Sequence, residues 1–268
     1  MKHPYFNADS YVTDHNIKKR YWLDRLLKNS RVPFLWKYFG ALMRSRKLAL
    51  NGTYDYEEWG DSSIEIFEIL ERVGAEFHIT GLENIEKLGG DPVVYISNHM
   101  STLETMVLPG IIAPMQKVTF VVKDNLIKGN FFGPIMRSRN PIVVGRSNSR
   151  EDLMVVLREG MSRLKDGISV ILFPQSTRTV KLDPDMFNSL GVKLAGKAKV
   201  KVVPVAIKTD FWGNGKKVKE LGKLDRNKPV HIKFGEPMEV VGNGKEQHDK
   251  IYDFIESHLN QWISEEKK

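Results

Sequence analysis

The sequence contains no cysteine. That removes disulfides, thiolate metal ligands and a cysteine nucleophile together, and it leaves a reducing compartment compatible with the chain. It also lacks any apolar run of roughly 18 residues, the length a membrane-crossing helix needs. The opening MKHPYFNADSYVTDHN has no apolar core of the secretory kind. Glycine-rich phosphate loops are missing: neither G-x-x-x-x-G-K-[ST] nor G-x-G-x-x-G after a strand occurs, and the two GNG tripeptides at 213 to 215 and 242 to 244 read as turns. The 7 histidines are scattered without ligand spacing, so neither a metal nor a cofactor is expected. Internal repeats and low-complexity tracts are absent too. These absences lead to the expectation of a protein on the cytosolic side, lying on a membrane surface rather than through it if it works on membranes.

What is present fits one catalytic body. A chain of 268 residues suits one α/β domain, or one domain with an added subdomain, and 41% apolar with 28% charged residues is the mix of a folded protein. A net charge of +8 favours anionic partners: nucleic acid, anionic lipid or phosphorylated substrates. Charge alone does not choose among them, but no nucleic-acid recognition element is recognisable, so nucleic acid is not an expected partner.

From Tyr21 to Leu50 apolar and aromatic residues recur at helical spacing (Trp22, Leu23, Leu26, Leu27, then Phe34, Leu35, Tyr38, Phe39, Leu42). The pattern predicts two helices divided near Ser30 to Pro33. Cations from Arg20 to Lys47 intersperse the aromatics, so residues 1–60 form an amphipathic helical segment with two readings: a membrane-surface anchor, or a helix pair packed on its own body. After the loop NGTYDYEEWG a third helix is expected, capped by Asp61 or Ser62, with Ile64, Phe67, Leu70 and Val73 on its apolar face. From there to residue 268 strand-like runs (Glu76–Thr80, Val93–Ser97, Val118–Lys123, Pro141–Val144, Ile168–Phe173, Val202–Ile207, Val230–Phe234) alternate with helical patterns such as Glu151–Lys165, Asn188–Lys199 and Gln247–Ser264. Alternation of this kind predicts an α/β fold with a mostly parallel central sheet flanked by helices. The runs VVYIS, VILF and VVPVAI are apolar throughout, as strands covered on both faces are.

Chemistry concentrates where such runs end. At 93 to 109 a buried strand opens into Asn98-His99 and then a helix, and ligands of α/β sheets gather at the carboxyl ends of strands. On one continuous helix His99 and Glu104 would point about 140° apart. The helix must therefore start after His99; with Ser101 as N-cap, Glu104 falls in the first turn and can reach back to the imidazole, fixing its tautomer. Ser101-x-x-Glu104 reads equally as a capping box beside an ordinary loop histidine. The free N–H groups of Ser101 to Leu103 are candidates for an oxyanion site. A second strand end, ILFPQSTRT, carries Arg178, whose guanidinium fork suits phosphate oxygens or simply solvent in a turn set by Pro174. Arg139 and Arg146 flank the short strand of RNPIVVGR, and either is a candidate for an anion site or a solvated charge.

Taken in order, NHMSTLE, then KDNLIKGNFFGPIMRSRNPIVVGR, FPQSTR and VVPVAI resemble the four blocks of the glycerolipid acyltransferase family, typified by bacterial 1-acylglycerol-3-phosphate acyltransferases, over roughly residues 76 to 235. The resemblance implies that His99 is the base that deprotonates the acceptor hydroxyl and Glu104 the carboxylate that orients it. It implies substrate contacts from Asn98, Ser101, Lys123, Arg146, Gln175, Ser176, Thr177 and Arg178, with Arg146 and Arg178 on the acceptor phosphate and Val203-Pro204-Val205 lining a pocket. It makes the N-terminal segment an anchor on an anionic membrane surface, residues 61–268 the acyltransferase domain, the donor acyl-CoA or acyl-carrier protein, and the acceptor a lysophospholipid, 1-acylglycerol-3-phosphate first. Two positions depart from the family's pattern. Glu104 stands where Asp is usual, and F-P-E-G-T-R becomes FPQSTR, so a carboxylate is replaced by Gln175 and a glycine by Ser176. Those changes keep open a different lysolipid acceptor, or a lipid-binding protein of the same fold without the reaction.

Overall fold

The computed structural model describes residues 5–6, 8–145, 148–175, 177–216 and 218–266. Eight strands form one mixed sheet among them: β1 (Ser10–Val12), β2 (Phe77–Thr80), β3 (Val94–Ser97), β4 (Val118–Lys123), β5 (Ile142–Val144), β6 (Ser169–Leu172), β7 (Val202–Lys208) and β8 (Val230–Phe234), in the order β1-β2-β8-β7-β3-β6-β4-β5. The stretch β7-β3-β6-β4-β5 is parallel throughout, β2 and β8 are parallel to each other, and the β1-β2 and β7-β8 pairings are antiparallel. The expected mostly parallel sheet is therefore present, with antiparallel joins toward one edge.

The central strands are apolar on both faces because both are covered. Val93, Tyr95, Val203, Val205 and Ile207 face a core shared with α2 (Val32–Leu50), α3 (Tyr56–Arg72) and α5 (Leu103–Ile112). Their alternates Val94, Ile96, Val202 and Ala206 face a second core shared with α8 (Ser149–Lys165), α9 (Leu190–Ala198) and α10 (Lys245–Glu265). Val203 and Val205 are 0% and 1% exposed, so the Val203-Pro204-Val205 segment fills the sheet interior and lines no pocket. Short helices α4 (Leu82–Glu86), α6 (Asp124–Lys128) and α7 (Gly133–Arg137) occupy the connections.

The N-terminal segment differs from expectation in two ways. Its first helix, α1 (Trp22–Leu26), is little more than a turn, ended where Lys28 and Asn29 take left-handed backbone at φ 49° and 65°. The third helix begins at Tyr56, since Asp55 caps it by accepting the Glu58 N–H at 3.0 Å. The expected loop at 51 to 60 is thus half helix, and the division at residues 60 and 61 falls inside α3 rather than at a break in secondary structure. α2 is apolar on two sides. Phe34, Tyr38, Ala41 and Leu42 are buried, with Phe34 and Tyr38 edge-on to Trp212, whereas Val32, Trp36 and Met43 are 58%, 66% and 50% exposed. Trp22 and Leu26 of α1 add 72% and 65% exposed faces. No described helix is long and apolar enough to cross a membrane.

Candidate active site

Three adjacent parallel strands, β7, β3 and β6, end at one edge of the sheet, and the residues just past each end meet there. Past β3, Asn98 closes the gap to β7 with its whole amide: Nδ2 donates to the Ile207 carbonyl at 2.9 Å and Oδ1 accepts the Ile207 N–H at 3.0 Å. Asn98 is 2% exposed, so it braces the loop where His99 starts rather than reaching a substrate. His99 follows with its ring stacked on Phe173, centroids 4.3 Å apart at 19°, and its side chain 12% exposed.

The His99 Nδ1 lies 2.8 Å from Glu104 Oε1. Glu104 is fully buried and also accepts the Met100 N–H at 2.7 Å, the Ser101 N–H at 2.8 Å and, on Oε2, the Thr209 hydroxyl at 2.6 Å. Burial pushes its carboxyl up, but the His99 hydrogen bond and charge, Thr209 and the Ser101 N–H outweigh that and hold it below its ordinary value, ionised. An ionised carboxylate only accepts, so the proton of a neutral imidazole sits on Nδ1, and Nε2, which has no protein partner among the described residues, carries the lone pair.

The helix begins one residue later than its sequence suggests, with Thr102 in the cap position, and Ser101 Oγ takes the Leu103 N–H at 3.0 Å. Ser101 is 0% exposed and its hydroxyl proton is divided between Glu104 Oε2 and the Thr209 carbonyl, each at 3.0 Å. It is neither a substrate contact nor a nucleophile. Of the three N–H groups expected at an oxyanion site, that of Ser101 is taken by Glu104 and that of Leu103 by the Ser101 hydroxyl, which leaves that of Thr102.

The loop after β6 is bonded to the backbone of His99 at two points. Gln175 Oε1 accepts the His99 N–H at 2.7 Å, and the Thr179 N–H donates to the His99 carbonyl at 2.9 Å. Arg178, between those anchors, is thereby held beside the histidine loop, where its Nη1 donates to Glu220 Oε1 at 3.0 Å. Gln175 is 1% exposed, and its Nε2 makes no hydrogen bond among the described residues. Thr177 is exposed and accepts from Lys219 Nζ at 2.9 Å. Lys123 is exposed at the end of β4, the next strand along. Arg146 and Ser176 lie outside the described residues. Arg139 is no anion ligand: it is 3% exposed, caged by the rings of Tyr54, Tyr56 and Trp59 at 5.0, 5.0 and 5.6 Å, with Nη2 on the Tyr54 carbonyl.

Sequence reasoning did not find Thr209, Phe173, Lys219 or Glu220. Each acts through space on a residue of another strand end, and only the position of Phe173 at the end of one apolar run and of Thr209 just past another marked them at all.

Known proteins resemble this chain over much of its length. The Acyltransferase family matches residues 76–208, which run from β2 through β7. A 1-acyl-sn-glycerol-3-phosphate acyltransferase of Pseudomonas aeruginosa is 29% identical over 193 residues, 72% of this chain and 69% of that protein. A probable one of Mycoplasma pneumoniae is 25% identical over 175 residues, 63% of this chain and 64% of its own. The chain spans a smaller share of the eukaryotic relatives, 44% of the Saccharomyces cerevisiae enzyme of that name at 29% identity over 138 residues. The crystal structure of the 1-acyl-sn-glycerophosphate (LPA) acyltransferase PlsC from Thermotoga maritima superposes with a TM-score of 0.63 over 88% of this chain and 97% of that one, at 22% identity, which establishes a common fold. The paired strand-end histidine and carboxylate thus lie within residues 76–208, an Acyltransferase family domain.

Proposed function

We propose that the protein moves a fatty acyl group from a thioester, acyl-CoA or acyl-carrier protein, to the free hydroxyl of 1-acylglycerol-3-phosphate at the cytoplasmic face of a membrane. The observation that carries the reading is the 2.8 Å contact of His99 Nδ1 with an ionised, immobilised Glu104, on a loop bonded at both ends to the segment bearing Arg178. The names of the relatives supply the substrate class.

An alcohol is too weak an acid to attack at neutral pH unaided. His99 Nε2 takes its proton as the oxygen bonds to the thioester carbon, and Glu104 stabilises the imidazolium so formed. Collapse of the tetrahedral adduct breaks the C–S bond, and the same proton passes from Nε2 to the departing sulfur. Attack is direct, because the nearby Ser101 hydroxyl is buried and committed to Glu104 and Thr209. Gln175 acts on the base through its Oε1, which holds the His99 N–H at 2.7 Å. Arg178 receives the acceptor phosphate, with Thr177 beside it and Lys123 at the end of β4; the resemblance also assigns Arg146 and Ser176 to the substrate. The exposed Trp22, Leu26, Trp36 and Met43 meet the lipid.

The test is a product screen by mass spectrometry, both donors against a panel of lysolipids. Wild type is expected to form diacylglycerol phosphate from 1-acylglycerol-3-phosphate, and His99→Ala to lose activity by about 10²–10⁴-fold with its circular dichroism unchanged. Full activity of that variant, or vesicle binding by the wild type with no diacyl product from any pair, overturns the reading.

A further inference from the structure

The loop joining β7 to β8 adds no strand to the sheet, yet it has a closed form of its own. The Gly213 N–H donates to the Lys223 carbonyl at 2.9 Å, the Gly215 N–H to the Lys219 carbonyl at 3.1 Å, and Trp212 bridges Leu224 across the neck. At Gly222 a Cβ would overlap the Gly213 carbonyl, so only glycine lets the neck close. From this neck the loop reaches the active site three times. Asn214 Nδ2 donates to the Met100 carbonyl at 2.9 Å, one residue past His99. Lys219 Nζ rests on Thr177 Oγ1 at 2.9 Å, and Glu220 Oε1 accepts from Arg178 at 3.0 Å. The Leu221 carbonyl also receives Arg31, at the entry to α2.

Two cations therefore meet at the post-β6 loop, Arg178 from that loop and Lys219 reaching its Thr177 from the β7–β8 loop, and the first is neutralised from within the chain. Arg178 and Glu220 keep 15% and 31% of their side chains exposed, a pair weak enough to be exchanged for a better anion. Lys219 has no carboxylate partner among the described residues and is parked on a neutral hydroxyl.

We propose that Lys219 is a second cation for the acceptor's phosphate, and that Glu220 occupies Arg178 as a carboxylate stand-in that only a phosphate monoester displaces efficiently. The inference rests on the acyl-transfer reading above and assigns its acceptor specificity. A phosphate monoester carries about −1.5 to −2 charges at neutral pH and offers three oxygens, enough to engage Arg178 and Lys219 together. A phosphodiester headgroup carries a single negative charge, no more than the carboxylate it must remove. Where it also bears a choline, Lys219 repels that ammonium. Discrimination arises from a built-in competitor as well as from the added contact.

The test compares wild type, Lys219→Ala, Lys219→Arg and Glu220→Gln in steady-state kinetics with lysophosphatidic acid and lysophosphatidylcholine as acceptors, alongside calorimetric binding of glycerol 3-phosphate. Lys219→Ala is expected to raise KM for lysophosphatidic acid and weaken glycerol 3-phosphate by about fivefold or more, chiefly in KM rather than kcat, with Lys219→Arg restoring both. Glu220→Gln is expected to move the other way, lowering KM, tightening glycerol 3-phosphate and narrowing the preference over lysophosphatidylcholine. Were Glu220 only a brace for the loop, its loss would raise KM and lower the melting temperature, and that result overturns the proposal. So does a KM indifferent to both positions in an enzyme that makes diacyl product. A wild type that makes no product from any acceptor overturns the acyl-transfer reading instead, while the glycerol 3-phosphate arm still reports on the two cations.

Discussion

Thr209 shows how much of an active site is invisible to local pattern. Its hydroxyl, 105 residues from Glu104 in sequence, donates to Oε2 at 2.6 Å and helps lock the carboxylate that holds the imidazole. Hydrogen bonds to charged groups contribute roughly 1.5–3 kcal/mol, so Thr209→Val, which keeps the shape and removes the donor, is expected to lower kcat by about tenfold or more. Thr209→Ser should restore most of it. The check is kcat with its pH profile: because Thr209 acts through the base, the acidic limb should shift in the valine variant, which a packing defect alone would not produce. His99 and Glu104 were legible because a buried strand runs straight into one heptapeptide, NHMSTLE, that holds a turn and a helix start, and backbone geometry decides which residues can meet. Asn98 and Ser101 were legible as positions but not as roles, since their partners Ile207 and Thr209 arrive from β7 and its end.

Among the elements, those with unbroken periodicity were readable almost to the residue, β4 and β8 entirely so. The misreadings have local causes. The Asp55-x-x-Glu58 signal lay inside a stretch that resembled a turn, and α1 ends early because Lys28 and Asn29 leave right-handed backbone. A pairing not readable in either element is that of β8 with α10, where His231 lies flat against Trp262 at 4.9 Å and, across the strand pair, against His78 at the same distance. Burial, then the charges of His78 and Lys208 against the opposing Asp210, pushes the His231 imidazole down from 6.5 to about 4. The folded state thus refuses a proton that the unfolded chain accepts. Stability is full above the unfolded value and is lost as the pH falls from 6.5 toward about 4. His231→Phe keeps the ring stack and removes the proton site. Thermal unfolding across that pH window should therefore be less pH-dependent in the variant than in wild type, and parallel curves would contradict the assignment.

For the molecule as a whole, the two readings of the N-terminal segment prove compatible, since α2 turns one apolar side to its own core and another outward. Lys37 lies over both Trp36 and Tyr21, at 5.1 and 5.5 Å, placing charge against aromatic surface in the manner of interfacial helices. Replacing Trp22 and Trp36 by serine removes exposed area without opening the core. We expect flotation with anionic vesicles to fall by about tenfold or more while the melting temperature stays within a few degrees of wild type. Unchanged flotation would contradict the proposed lipid contact of these residues. The sequence could not reveal this arrangement because helical periodicity marks an apolar stripe without saying what covers it.

The grip on Glu104 has a consequence for the order of events. A carboxylate pinned by two backbone amides, a threonine and the imidazole itself cannot swing, so the ring cannot turn over and offers one working nitrogen. In the proposed reaction that atom is a turnstile with room for a single passenger. Alcohol and thioester must stand in the cleft at the same moment, which ties turnover to a ternary complex rather than to two half-reactions.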